Sequence, residues 1–319
     1  LSYIKPHWPY IAPAPYNDMF TAADVLPVVR CEEERADPHP VYRAFMNHRV
    51  SGAFARDEVR EAVVPVYMGL IKQIDDQLGV LFSFMQQRGL LETTMIVFTS
   101  DHGDYLGDHW LGEKDLFHEP SVKVPLIVYE PSAAADAARG ACCEELVETI
   151  DLAPTFLEVL SADPAAQSHR LEGRSLMSIL HGRPPQRWRQ FAISEYDYSV
   201  LPAAAALGVE PRDGRLFMIT DKRWKYVHAV GFRPMLYDLE TDPREFRDLG
   251  ENPAFEAERQ RLAAALAQWG LRLSQRTTRS EEQIRAMRGK SQRRGILIGV
   301  WDESDVPEEL WCRYMGDNT

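Results

Sequence analysis

The densest chemistry in this chain lies in Ser100-Asp-His-Gly-Asp-Tyr-Leu-Gly-Asp-His-Trp-Leu-Gly-Glu-Lys114, where three aspartates, two histidines, a glutamate, a lysine and three glycines fall within fifteen residues. Carboxylate oxygen beside imidazole nitrogen, as at Asp101 and His102, suits a hard or borderline divalent cation, and glycine lets backbone approach a ligand closely. Lys114, thirteen residues after Asp101, is spaced to return across such a site and neutralise an oxyanion. The plainer reading is a solvated loop capping the next helix, with Lys114 an ordinary surface charge.

For these groups to converge, the elements around them must hold the loop at one edge of a sheet. Val63, Val66, Tyr67, Leu70, Ile74, Leu78, Leu81, Phe82 and Met85 recur at three- and four-residue steps and predict one long helix starting at Asp57, with Gly89 as its C′ residue. Thr94-Met-Ile-Val-Phe-Thr99 and Val124-Pro-Leu-Ile-Val-Tyr129 read as strands buried on both faces, followed by a helix from about Leu146 to Leu160. Helix, strand, loop, strand, helix is the grammar of a parallel α/β sheet, whose functional groups lie beyond the carboxyl ends of strands. Asp101 and His102 occupy that place. After Arg189 the pattern changes to short runs, Phe191–Glu195, Leu216–Thr220, Trp224–His228 and Met235–Leu239, which predict a small antiparallel sheet covered by an amphipathic helix from Pro253 to Arg272.

The chain has 319 residues, 45% hydrophobic, with 36 Lys+Arg against 48 Asp+Glu and a net charge of −12. That length can bury its own core. The acidic balance, without a basic block longer than Arg293-Arg294, argues against nucleic-acid and anionic-membrane partners, and no stretch approaches a membrane span. Cys31, Cys142, Cys143 and Cys312 lack the repeated spacing of a disulfide framework or zinc site, so the chain reads as reduced and cytoplasmic. Adjacent Cys142 and Cys143 seldom bridge each other, because the geometry strains the turn. Asp151 reads as a helix N-cap rather than a ligand, and Glu195 and Asp197 end a strand that reaches either a site or a neighbouring loop.

Thr99-Ser-Asp-His-Gly-Asp-Tyr-Leu-Gly-Asp-His109 with Gly112-Glu-Lys114 resembles the second metal-binding segment of the sulfatases in the alkaline phosphatase superfamily, and Pro6-His-Trp-Pro9 resembles their Pro-His-x-Pro substrate segment. Further matches are Glu148-Thr-Ile-Asp-Leu-Ala-Pro-Thr-Phe-Leu157, Leu171-Glu-Gly-Arg-Ser-Leu176 and Leu236-Tyr-Asp-Leu-Glu-Thr-Asp-Pro243. The wording from Gly107 to His118, with Gly231-Phe-Arg-Pro-Met235 and Gly289-Lys-Ser-Gln-Arg-Arg-Gly295, is most similar to the phosphonate monoester hydrolases. The resemblance implies an alkaline-phosphatase-like mixed sheet sandwiched by helices, followed by a small antiparallel sheet with a C-terminal helix. It implies a small anionic ester as substrate, a phosphonate monoester or phosphodiester and also a sulfate ester. Asp101 and His102 would be ligands of a divalent metal ion, manganese or calcium. Lys114 and His7 would contact the substrate's non-bridging and leaving oxygens, with His109 a further substrate contact. Such chemistry needs positive charge where equatorial oxygens gather electrons, and a proton for the leaving alkoxide. Against this, His7 between prolines and Trp8 has the alternative of a packed histidine.

The family's nucleophile is a formylglycine made from cysteine in Cys-x-Pro/Ser-x-Arg, and further acidic ligands stand near an early strand. Cys31-Glu-Glu-Glu-Arg35 has the Cys-to-Arg separation but a glutamate at the Pro/Ser position, and lies after His7 rather than before it, so the chain contains no nucleophile. The expectation is therefore the C-terminal portion of such a hydrolase, inactive alone: residues 1–189 as part of the catalytic domain, 190–275 as a small α+β subdomain, and 276–319 as a tail making contacts in a homo-oligomer. The alternatives are an arylsulfatase or choline-sulfatase-like hydrolase and, in a different class, a noncatalytic remnant acting as an assembly module.

Overall fold

The computed structural model describes residues 1–163 and 170–273. The Pro-rich opening carries no α-helix, and three short helices follow it: α1 (Glu33–Ala36), α2 (Pro40–Met46) and α3 (Arg49–Phe54). Pro40 opens α2, where its missing N–H costs nothing, and His39 Nδ1 accepts from the Val41 N–H at 3.2 Å as the cap. The long helix appears as α4 (Asp57–Gln87), and Gly89 beyond its end takes φ 65°, the left-handed C′ conformation. Gly69, inside α4, is required by the opening segment: a Cβ there would stand 2.0 Å from the Tyr16 carbonyl oxygen. Tyr16 also donates to Asp76 of α4 at 3.0 Å, so the Pro-rich segment lies along this helix.

β1 (Ile96–Thr99) and β2 (Leu126–Tyr129) form where the two apolar runs stand, but their pairing is antiparallel, with Ile96 opposite Tyr129 and Thr99 opposite Leu126. This corrects the parallel reading. A parallel return is usually made by a crossover helix that runs back along the strands, whereas the connection over residues 100–125 holds only a 3-10 turn at Asp108–Trp110 and the one-turn α5 (Glu119–Val122). Nor are the strands closed on both faces: Phe98 is 40% and Ile127 64% exposed. A continuous apolar run cannot say whether a second layer covers it.

The described residues divide into two compact units, 1–149 with 176–271, and a second that includes 150–163 and 170–175. In the second, the helix expected from Leu146 is shorter, α6 (Leu152–Val159), with Pro154 in its first turn where its N–H is not needed. Asp151 precedes α6 but does not cap it through its side chain. Its Oδ1 instead accepts from the Arg174 N–H at 2.7 Å, which ties the segment around Gly173 to the helix start.

In the first unit, α7 (Met177–Leu180) leads into the sheet read from the alternating runs: β3 (Ala192–Asp197), β4 (Arg215–Thr220), β5 (Trp224–Ala229) and β6 (Met235–Asp238), antiparallel in that order. α8 (Pro202–Leu207) lies between β3 and β4, and α9 (Glu256–Leu273) follows β6. One face of the sheet meets α9 through Ile219, Trp224, Tyr226, Leu236, Leu262 and Leu266. The other packs Leu216, Met218, Val227 and Met235 against Val41, Phe45, Tyr105 and Leu111, so the sheet is the floor under the loop that follows β1. The expected tail over 276–319, with Cys312 and the oligomer contact assigned to it, lies outside the described residues.

Candidate active site

His102 and Asp101 stand immediately beyond Thr99, the last residue of β1. The next residue must be glycine: a Cβ on Gly103 would lie 1.9 Å from the Pro120 carbonyl oxygen, and the Gly103 N–H donates to the Ser121 carbonyl at 2.7 Å. This contact presses the loop onto α5 and fixes where His102 projects. His102 Nδ1 lies 2.8 Å from the Gly103 carbonyl oxygen, so in the neutral ring Nδ1 carries the hydrogen and Nε2 offers its lone pair. That nitrogen is 3.6 Å from Asp101 Oδ2, and the Asp101 side chain is 87% exposed. A carboxylate oxygen and an imidazole nitrogen oriented by a backbone carbonyl are the donor types and the outer support that a divalent ion uses.

Two donors do not make a complete shell. Calcium takes six to eight oxygen ligands, roughly three times what this pair presents. Among the described residues, no group of three or more His, Cys, Asp and Glu side chains could hold a metal. Asp101 and His102 therefore fit part of a metal site at most, and a complete shell would need donors beyond this pair.

Lys114 and His7 come together across the chain. Lys114 Nζ lies 2.8 Å from His7 Nε2, and His7 Nδ1 lies 2.9 Å from the Trp8 carbonyl oxygen. The second contact assigns the His7 hydrogen to Nδ1, so Nε2 accepts from the Lys114 ammonium. The His7 and His102 rings are 6.0 Å apart, nearly edge to face. His7, His102, Lys114 and Asp101 thus form one group at the end of β1, in which the His102 Nε2 lone pair suits a cation and the Lys114 ammonium, paired with His7, suits an anion.

His109 is placed elsewhere. Its ring is 1% exposed, its Nδ1 is 2.6 Å from Glu34 Oε1, and it stacks on His118 with centroids 3.9 Å apart and planes 3° from parallel. His118 in turn contacts Tyr105 Oη at 3.1 Å; burial first, then His109 and Lys225, push its pKa well below the ordinary histidine value. Glu195 pairs with Arg215, and Asp197 accepts from the Ser199 N–H, so both serve the sheet's own edges. Cys31 sits beside Glu34, and Cys142 and Cys143 are exposed free thiols. A polar cavity of about 280 Å³, lined by Asp37, His39, Tyr42, Arg233 and Asp248 among others, shares no residue with the group at β1.

Sequence reading passed over Tyr10 and gave Asp104 no role. Tyr10 Oη donates to Asp104 Oδ2 at 2.7 Å, and the Leu106 N–H donates to Oδ1 at 3.1 Å. Burial raises the Asp104 pKa against the pull of these hydrogen bonds; burial and Asp104 together push Tyr67, whose ring lies 6.1 Å from that of Tyr10, up to about 12. A tyrosine three residues after a motif histidine was the only available signal.

The Sulfatase family matches residues 1–162, and the family described as N-sulphoglucosamine sulphohydrolase, C-terminal, matches residues 107–271. The multifunctional alkaline phosphatase superfamily protein PehA of Trinickia caryophylli is 33% identical over 294 residues, which is 87% of this chain and 56% of PehA. An arylsulfatase of Clostridium perfringens is 26% identical over 78% of the chain and 48% of its own length. The phosphonate monoester hydrolase of Silicibacter pomeroyi superposes with a TM-score of 0.79 at 30% identity, covering 87% of this chain and 56% of that one. The chain spans about half the length of the relatives it matches.

Proposed function

Because this chain belongs to the sulfatase family of the alkaline phosphatase superfamily, we propose that it forms the metal-and-lysine half of an active site that hydrolyses phosphonate monoesters and phosphodiesters. The observation that carries this reading is the contact between Lys114 Nζ and His7 Nε2 at 2.8 Å, beside His102. A tetrahedral anion entering there would take the Lys114 ammonium from His7, neutralising a non-bridging oxygen. His7, taking a proton from solvent at the Nε2 that Lys114 has released, would then give that proton to the leaving alkoxide. A divalent ion, manganese or calcium, would be held in part by Asp101 and His102 and would supply Lewis-acid polarisation of the ester.

The nucleophile in this reading is the family's formylglycine, and none of the four cysteines stands in the Cys-x-Pro/Ser-x-Arg pattern that makes it. The 319-residue chain alone should therefore show no turnover. The homo-oligomeric, cytoplasmic assignment belongs to the same proposal. Similarity at 30% identity to the Silicibacter phosphonate monoester hydrolase supports the phosphonate reading, and similarity to the Clostridium arylsulfatase supports the sulfate alternative.

The test compares phenyl phosphonate, phosphodiester and aryl sulfate esters with the protein that carries this chain together with a formylglycine. Phosphonate and diester cleavage, lost in Asp101→Ala, is expected. Faster turnover of the aryl sulfate would move the assignment to an arylsulfatase. Robust phosphonate hydrolysis by the isolated chain would overturn the division of the site.

A further inference from the structure

The two segments that carry the site are far apart in sequence and meet through few contacts. Among the described residues, two hydrogen bonds join residues 5–10 to residues 100–114: Lys114 Nζ with His7 Nε2, and Tyr10 Oη with Asp104 Oδ2. The first is not a permanent anchor, since a substrate oxyanion would compete for the Lys114 ammonium. The second remains.

We propose that the Tyr10–Asp104 hydrogen bond is the positioning contact of this site, holding His7 in place when Lys114 turns to the substrate; the inference rests on the reading of His7 and Lys114 given above. Three features suit Tyr10 to that task. Its partner carboxylate is fixed on both oxygens, by Tyr10 at 2.7 Å and by the Leu106 N–H at 3.1 Å, and stands two residues after His102. Its ring is set edge-on against Phe54, 5.9 Å away, and Tyr67, 6.1 Å away, so it cannot swing without leaving α3 and α4. The Lys5 ammonium donates to the carbonyl oxygens of both His7 and Pro9, which braces the short stretch between Lys5 and Pro9 so that an anchor at Tyr10 is felt at His7. Loss of such an anchor misplaces a catalytic group without touching substrate, and shifts of about 1 Å in such groups cost on the order of a hundredfold in rate.

The test uses the 319-residue chain labelled with 15N-histidine. In the wild type, His7 should show one tautomer with the hydrogen on Nδ1 and an Nε2 resonance displaced by the Lys114 ammonium. Tyr10→Phe, which deletes only the hydroxyl, should average these signals and weaken binding of inorganic phosphate about tenfold, equivalent to ~1.4 kcal/mol. Tyr67→Phe, which keeps the same ring packing, should change neither. Asp104→Asn should give an intermediate effect, because one oxygen remains to accept, and it serves if Tyr10→Phe does not fold. Unchanged His7 signals and phosphate affinity in Tyr10→Phe would overturn the proposal, as would equal changes in Tyr67→Phe, which would assign the effect to packing. If His7 responds as expected but the wild type binds no phosphate, the positioning contact stands and the substrate reading fails.

Discussion

Lys225 Nζ stands 2.7 Å from Glu245 Oε1, and both side chains are 1% exposed. Two further oxygens complete the ammonium's surroundings, Glu119 Oε1 at 2.7 Å and the Phe117 carbonyl at 2.9 Å, while Glu245 Oε2 accepts from the Glu119 N–H. Burial pushes the Glu245 carboxyl up; burial would raise Glu119 too, but Lys225 holds it below its ordinary value. This cluster ties β5 to the end of the loop that carries Lys114, joining the sheet to the site. Removing one partner leaves a buried charge unpaired, which costs about 3–5 kcal/mol. Lys225→Met should therefore lower unfolding stability in urea by about that amount, and adding Glu245→Gln should recover part of it. Equal loss in the single and double variants would show that the pairing contributes nothing.

Lys114 and His7 should behave as a coupled unit. On the proposed reading, Lys114→Met in the catalytically complete protein should lower kcat about a hundred- to a thousandfold, as loss of one oxyanion-stabilising group does. His7→Asn should have a comparable effect, and the double variant should lose much less than the product of the two. Full multiplicativity in the double-mutant cycle would mean that the 2.8 Å contact has no energetic consequence.

His109 offers a discrimination between substrate contact and support. Buried against Glu34 and stacked on His118, it should matter for stability. Glu34→Gln and His109→Gln should each destabilise by about 1.5–3 kcal/mol, the range for a hydrogen bond to a charged group. KM should not change. A raised KM in His109→Gln with unaltered stability would make it a substrate contact.

Much of the frame was legible because periodicity encodes it. The three- and four-residue steps from Val63 to Met85 can serve only a helix, and α4 follows them; the alternating runs after Arg189 gave β3 to β6 in order. Strand direction was not legible, since nothing in Met95-Ile-Val-Phe98 distinguishes a parallel from an antiparallel neighbour. That choice is made by the connection, whose only α-helix is the one-turn α5. Motifs likewise mark His7 and Lys114 as chemical groups without saying that their nitrogens meet. Tyr10 and Asp104, 94 residues apart, carry no periodic or motif signal that pairs them, and neither do Glu34 and His109.

Metal binding should divide along the same line as the donor set. With only Asp101 and His102 in place, the chain titrated with manganese or calcium should bind more weakly than about 10⁻³ M, the weak end for calcium sites with few charged ligands. The complete protein should lose activity with a chelator and regain it on adding back the ion. Micromolar binding by the isolated chain, abolished in Asp101→Asn, would show that residues outside the described set complete the shell.

Stability should fall as the medium is acidified, and His39 sets part of the window. The residue is 4% exposed, and burial, opposed by the Arg233 carbonyl and Asp248 and assisted by the nearby Arg233 charge, lowers its pKa from 6.5 to about 4. Nε2–H donates to the Arg233 carbonyl at 2.8 Å, and Nδ1 accepts from Val41, so the folded protein holds the neutral ring. Between these two pKa values the unfolded chain binds a proton that the folded chain does not. Stability therefore rises with pH through that interval, is complete above about 6.5 and is lost as pH falls toward 4. The full displacement corresponds to about 3 kcal/mol at most, at ~1.4 kcal/mol per pKa unit. His118, shifted in the same direction, adds to the slope. Urea unfolding at pH 7, 6, 5 and 4.5 should show the decline, and His39→Gln, which keeps a donor for the Arg233 carbonyl but does not titrate, should flatten it. An identical pH slope in His39→Gln would place the acid sensitivity elsewhere.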